Sequence, residues 1–164
     1  MDSIERPPLP RLGLIRRARP EEAATLTALT LRSKAHWGYS QALIEEWRDI
    51  MSVSPELIRN HPVYVTENTE RVCGYYSLEH PDGDQIMLEN LFIDPDFIGS
   101  GAGRALLHHA LVLATSLGYQ TVCLESDPHA EGFYLKMGAV RIGERPAPIL
   151  GQPERVLPKM RINL

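Results

Sequence analysis

No stretch of the sequence approaches the roughly 20 consecutive apolar residues that a helix needs to cross a bilayer. The first ten residues also lack the apolar segment of a secretory leader. Together these absences lead to the expectation of a soluble, cytoplasmic protein with no membrane partner. Cysteine is scarce. Cys73 and Cys123 each lie in an apolar, strand-like run, where buried free thiols in a reducing compartment are expected rather than a disulfide. No Cys/His spacing resembles a zinc site, and the adjacent His108 and His109 cannot share a helix face, so no metal is expected. Excess positive charge is missing as well: the 164 residues carry a net charge of −4, which argues against a nucleic-acid partner. The basic residues gather at the two ends, with Arg155, Lys159 and Arg161 in the last ten residues, and read as solvated termini. Internal repeats and low-complexity segments are absent.

What is present is a chain that is 43% apolar and 23% charged, enough for one domain with a real core over residues 13–164. A flexible, Pro- and Arg-rich lead-in is expected over residues 1–12. Leu14–Ala18 reads as a strand, and Arg19-Pro20-Glu21-Glu22 as a helix start that carries on through Leu31. The polar, aromatic run Ser33–Ser40 then predicts a loop. Ala42–Met51 reads as a second helix with Leu43, Ile44, Trp47 and Ile50 on one side, and Ser54-Pro55-Glu56 opens a short third. Three strands follow (His61–Glu67, Arg71–Glu79 and Gln85–Ile93), joined by turns short enough to make them antiparallel neighbours. Arg104–Leu117 is the clearest helix, with Leu106, Leu107, Ala110, Leu111, Ala114 and Leu117 on one face. Tyr119–Glu125, coming after that helix, can lie parallel to Gln85–Ile93 as a right-handed crossover. A short helix at Glu131–Met137 and final strands at Ala139–Gly143 and Arg155–Ile162 complete the chain.

Between the third strand and the long helix lies Ile98-Gly99-Ser100-Gly101-Ala102-Gly103-Arg104. It is not a Walker A loop, because no Gly-Lys-Ser/Thr follows, and it is not a dinucleotide fingerprint, because Arg104 stands where a Gly or Ala is required. Two alternatives remain open on these residues alone. Unpaired N–H groups at the helix start bind a phosphate, or the glycines serve close helix–strand packing.

Two distant segments read together narrow this. Residues 98–107, with Leu91-Phe92-Ile93-Asp94-Pro95 before them, resemble the acyl-CoA pyrophosphate loop of the GNAT acetyltransferase superfamily. Asp127-Pro128-His129-Ala130-Glu131-Gly132-Phe133-Tyr134-Leu135-Lys136-Met137-Gly138-Ala139 resembles that family's second signature, a short helix carrying Phe-Tyr and closed by Gly. The order of elements over residues 14–162 fits as well. The resemblance implies an α/β (α+β) fold: a mixed, mostly antiparallel sheet of six to seven strands with helices on both faces, its parallel pair splayed at the acyl-CoA site. It implies acetyl-CoA as cosubstrate. Leu91, Phe92 and Ile93 would pair with the pantetheine arm, and the amides of Gly99, Ser100, Gly101, Ala102, Gly103 and Arg104 would hold the pyrophosphate, with Asp127 beside the cofactor. Ile98 replaces the family's usual Gln or Arg, and Asp127 its usual Asn. Many members of the family are dimers, so a homodimer is compatible with the resemblance.

The implied activity is N-acetyl transfer to a small-molecule or protein amine. The leaving thiolate needs a proton, and Tyr134 of the Phe-Tyr pair is the candidate general acid. The amine, with a free pKa near about 10.4, must lose one. Glu89 is the candidate base, and period-two alternation puts it on the face of Met87, Leu91 and Ile93. Glu125 on the neighbouring strand is its rival. His36, Trp37 and Tyr39 in the Ser33–Ser40 loop, together with Glu125, are the candidate substrate contacts. A non-catalytic acyl-CoA-binding module is the alternative from another class.

Overall fold

The computed structural model describes residues 13–164; the lead-in expected at residues 1–12 lies outside the described residues. Its frame is a meander of β2 (Val63–Glu67), β3 (Val72–Asp82) and β4 (Gln85–Ile93). The turns between them are short, so all three pair antiparallel, and β1 (Ile15–Arg17) adds to β2 at the edge. The chain then climbs α4 (Ala102–Ser116) and returns as β5 (Thr121–Glu125), parallel to β4. β6 (Val140–Pro146) and β7 (Val156–Asn163) close the sheet in the order β1-β2-β3-β4-β5-β7-β6. Every pairing but β4–β5 is antiparallel, the mixed seven-stranded sheet that the sequence led us to expect.

Alternation along the strands divides the core between two faces. Val63, Val65 and Tyr75 pack with Leu26 and Leu29 of α1 (Ala23–His36) and Ile58 of α3 (Pro55–Asn60). Tyr76, Leu78, Ile86 and Leu88 pack on the other face, with Leu106, Leu107 and Ala110 of α4 and Tyr134 of α5 (Glu131–Lys136). Leu117, expected on the apolar face of α4, is its C-cap and is 53% exposed. α2 (Gln41–Met51) is capped by the Ser40 hydroxyl, which accepts from the Leu43 N–H at 3.2 Å. Its Ile44 is buried, but Ile50, expected on the same side, is 80% exposed.

Three element boundaries differ from expectation. α1 runs on through Ser33 to His36, so the loop predicted at Ser33–Ser40 shrinks to its second half and Lys34 sits on a helix. The polar composition that reads as a loop is tolerated because Lys34 finds a charged partner across the fold, described below. β3 continues through Pro81, beyond its last pair with β2 at Val63–Ser77, where a proline's missing N–H leaves no ladder bond unmade. β6 extends past Gly143 to Pro146 by pairing with β7. Both cysteines are free thiols. No helix among the described residues is long and apolar enough to cross a membrane.

Candidate active site

The parallel pair is short. β4 and β5 are in register only at Gln85–Thr121, Ile86–Val122 and Met87–Cys123. Beyond Met87 the two strands part, and the β5-facing edge of β4 from Leu88 to Ile93 has no strand partner. A β-bulge marks the opening on the other side: Ser77 pairs with Asn90 and Leu78 with Leu88, leaving Glu89 as the extra residue. The bulge corrects the expected placement of Glu89. Leu88, Leu91 and Ile93 all belong to the cluster beneath α4, whereas Phe92 packs on the α1 side. The inserted residue breaks the period of two, so Glu89 does not share a face with Leu91 and Ile93.

A cavity of about 580 Å³ occupies the gap, lined by Met87, Glu89, Asn90, Phe92, Glu125, Asp127, Tyr134 and Arg155, with Lys34 and Trp47 arriving from α1 and α2. A larger hollow of about 830 Å³ lies open along Ala24, Thr27, Ala28 and Leu31 of α1. It offers one carboxylate, Glu21, and no tyrosine, histidine or cysteine, so it holds no pair of groups able to pass protons.

Tyr134 is buried at 7% exposure, yet lines the cavity. Burial, reinforced by the Asp127 charge, pushes its phenol well above its ordinary pKa, so it stays protonated at neutral pH. Glu89 is half-exposed beside His80, 3.6 Å away. Desolvation raises its carboxyl pKa, the Glu79 charge adds to this, and His80 opposes it. Glu79 itself is buried and was not singled out in the sequence; its carboxylate accepts from the Ser77 hydroxyl at 2.7 Å, and Asn90 donates to that same hydroxyl at 2.9 Å. Glu125 is held by Arg145 at 2.7 Å.

Asp127 is the hub of the cavity wall. Its carboxylate accepts from Lys34 Nζ at 2.7 Å, the Tyr39 hydroxyl at 2.9 Å and the His129 N–H at 2.9 Å. Burial alone would raise its pKa; the Lys34 charge and the hydrogen bonds from Lys34 and His129 outweigh that and hold it far below the usual carboxylate range. Burial also pushes the Tyr39 phenol up to about 12, so it donates to Asp127 while accepting from Arg155 at 2.9 Å. Of the candidate substrate contacts, Glu125 lines the cavity and Tyr39 stands one layer behind it. Trp37 stacks on the His129 ring at 5.4 Å with His36 against its edge, and neither lines the cavity. Arg155, which the basic C-terminal composition assigns to a solvated end, is instead only 6% exposed along its side chain. Nothing local signals this, because its partners lie far away in sequence.

The glycine loop sits past the open end of β4. Asp94 is buried and caps the turn at Pro95–Phe97, and it is gripped by Arg32 of α1 at 2.7 Å. Gly99 and Gly101 then adopt φ of +84° and +89°, a backbone that a side chain disfavours. Ser100 Oγ accepts from the Ala102 N–H, while Gly103 and Arg104 stand in the first turn of α4, where amides have no intrahelical carbonyl. Among the described residues no group of three or more His, Cys, Asp or Glu could hold a metal ion.

Comparison with known proteins agrees with this geometry. The family profile described as "Acetyltransferase (GNAT) domain" matches residues 59–138. The chain is 37% identical over 149 residues to the peptidyl-lysine N-acetyltransferase YjaB of Salmonella typhimurium, covering 87% of this chain and 94% of that one. In fold it resembles a GCN5-related N-acetyltransferase from Rhodopseudomonas palustris, with a TM-score of 0.77 at 22% identity over 92% of this chain and 95% of that one. It also resembles the PaiA N-acetyltransferase of Thermoplasma acidophilum solved with coenzyme A, with a TM-score of 0.72 at 19% identity over 94% and 99%. With its splayed β4–β5 pair, glycine loop and buried Phe-Tyr helix, the chain belongs to the GNAT superfamily and is an N-acetyltransferase.

Proposed function

We propose that the enzyme moves the acetyl group of acetyl-CoA directly onto a lysine ε-amine of a peptide or protein. Acetyl-CoA is the cosubstrate of the family. The observation that carries the assignment to this cavity is the parting of β4 and β5 with Tyr134 and Glu89 both on the gap it leaves. The lysine acceptor follows from the likeness to the YjaB relative.

The pantetheine arm lies along the unpartnered edge at Leu91, Phe92 and Ile93 like an added strand. The pyrophosphate sits on the amides of Gly99 through Arg104 and the positive end of α4, without help from the apolar Ile98. Asp127 stands beside the cofactor, its carboxylate already engaged by Lys34 and Tyr39, so it orders the wall. Glu89, directly or through one water, takes a proton from the ammonium, and the neutral amine attacks the thioester carbonyl. A backbone N–H of β4 receives the oxyanion. As the C–N bond forms and the C–S bond breaks, Tyr134 gives its proton to the departing sulfur and regains one from solvent.

Acetyl-CoA turnover on lysine peptides, read as free thiol, tests this directly. Coenzyme A binding with no thiol release on any amine would point to a binding module instead. Two further outcomes follow from the geometry. Gly101→Ala forces a left-handed backbone onto a residue with a Cβ, a strain of about 1–2 kcal/mol. Calorimetry is expected to show acetyl-CoA binding about tenfold weaker. Glu89 works in its charged form, so kcat/KM rises with pH through its raised pKa, and Glu89→Gln flattens that acid limb. The loss at the plateau is about tenfold, since water replaces part of a half-exposed base. An unchanged pH profile in this variant would move the role to another group.

A further inference from the structure

The cavity wall carries more positive than negative charge, and it is buried. Lys34 and Arg155 have side chains only 10% and 6% exposed, and both line the cavity. Among the described residues, the one carboxylate within 4 Å of either is Asp127, at 2.7 Å from Lys34 and 3.8 Å from Arg155. The other carboxylates on the cavity face groups of their own, Glu125 with Arg145 and Glu89 with His80. Arg155 uses its two terminal nitrogens on the Ala147 carbonyl at 3.0 Å and the Tyr39 hydroxyl at 2.9 Å. Its Nε is buried with no hydrogen-bond partner.

A buried cation without a counter-ion is costly, and so is a buried donor without an acceptor. The rings of Tyr39 and Trp47, 5.3 and 5.6 Å from the Arg155 guanidinium, soften the first cost but supply no acceptor to the second. One further negative charge bearing oxygen acceptors would settle both. We infer that the acceptor subsite holds a carboxylate of the substrate against Arg155 and Lys34, so that the enzyme selects amines that carry an acid nearby. This rests on the acetyl-transfer function proposed above. Two sources share the chemistry: the α-carboxylate of a free or C-terminal lysine, and an Asp or Glu side chain next to the target lysine in a peptide.

Paired acceptors separate these sources: lysine against lysinamide, and an N- and C-blocked Asp-Lys peptide against its Asn-Lys counterpart. In the wild-type enzyme the acid member of at least one pair is expected to have a kcat/KM about tenfold higher, as for a charge-assisted contact. Arg155→Gln is expected to erase that ratio without changing acetyl-CoA affinity, and Arg155→Lys to keep most of it. Equal use of acid and amide acceptors by the wild type would overturn the inference and leave acetyl transfer standing. Should no amine release thiol, acetyl transfer itself fails. The inference is then decided by calorimetry of the coenzyme A-loaded wild type with Nε-acetyllysine against its amide and with the acetylated Asp-Lys peptide against acetylated Asn-Lys. Tighter binding of an acid member supports it, and equal binding in both pairs overturns it. These wild-type arms hold even if Arg155→Gln does not fold.

Discussion

Tyr134→Phe is expected to lower kcat by at least about 10²-fold, the size of a lost proton donor in a committed transition state, with acetyl-CoA affinity and melting temperature nearly unchanged. The geometry separates the two effects. The phenol is buried, but its hydroxyl has no hydrogen-bond partner among the described residues, so phenylalanine fills the same volume and orphans nothing. What disappears is a proton held in reserve by a raised pKa. Because that proton is used only as the C–S bond breaks, kcat and kcat/KM should fall together. Thiol release at saturating acetyl-CoA measures the first, and a thermal shift with and without coenzyme A checks the second. A variant with wild-type kcat would remove Tyr134 from the mechanism.

Asp127→Asn carries the largest stability effect. It changes one atom and restores the residue usual in the family, yet in this chain it strips the charge from a carboxylate that Lys34, Tyr39 and His129 all address. Removing one partner of a buried ion pair costs about 3–5 kcal/mol, which for a domain of this size lowers the melting temperature by about 10 °C. The pH dependence follows from the depressed pKa. In the unfolded chain an Asp titrates near about 3.9, and in the folded state far lower. The stabilisation is therefore complete above that unfolded value and is lost as pH falls through the folded one. The gap between wild type and Asp127→Asn should be full at pH 7 and narrow steadily below about pH 4. Urea titrations at a series of pH values would show it. A constant gap would mean that the carboxylate's shape, not its charge, is what the wall requires.

The sequence carried the frame and both motifs because these are local. Short turns dictated the β2–β3–β4 meander, the 3.6-residue spacing of Leu106, Leu107, Ala110 and Ala114 dictated α4, and the glycines marked a close backbone approach. Features set by tertiary pairing stayed hidden. A single inserted residue at Glu89 reverses which face the next side chains take, and nothing in the residue order betrays it. Ser33-Lys34-Ala35-His36 looks like a break in a helix until Lys34 meets Asp127, 93 positions away. Arg155 looks like part of a basic tail until its contact with Tyr39, 116 positions away, takes it inside. The proton-transfer pair was thus legible, and the charged wall that faces it was not.

The last turn of α1 holds a pair of residues whose partners lie on opposite banks of the gap. Arg32 takes Asp94, just past the end of β4, and Lys34 takes Asp127, just past the end of β5. One stiff rod is thereby bolted to both strand ends. The width of the slot is gauged by a helical turn, not by the strands, which have already let go of each other. Spreading the slot would break one bolt or unwind the rod, so cofactor and product are led to slide along its length, and the thioester meets its amine across a span that neither of them sets.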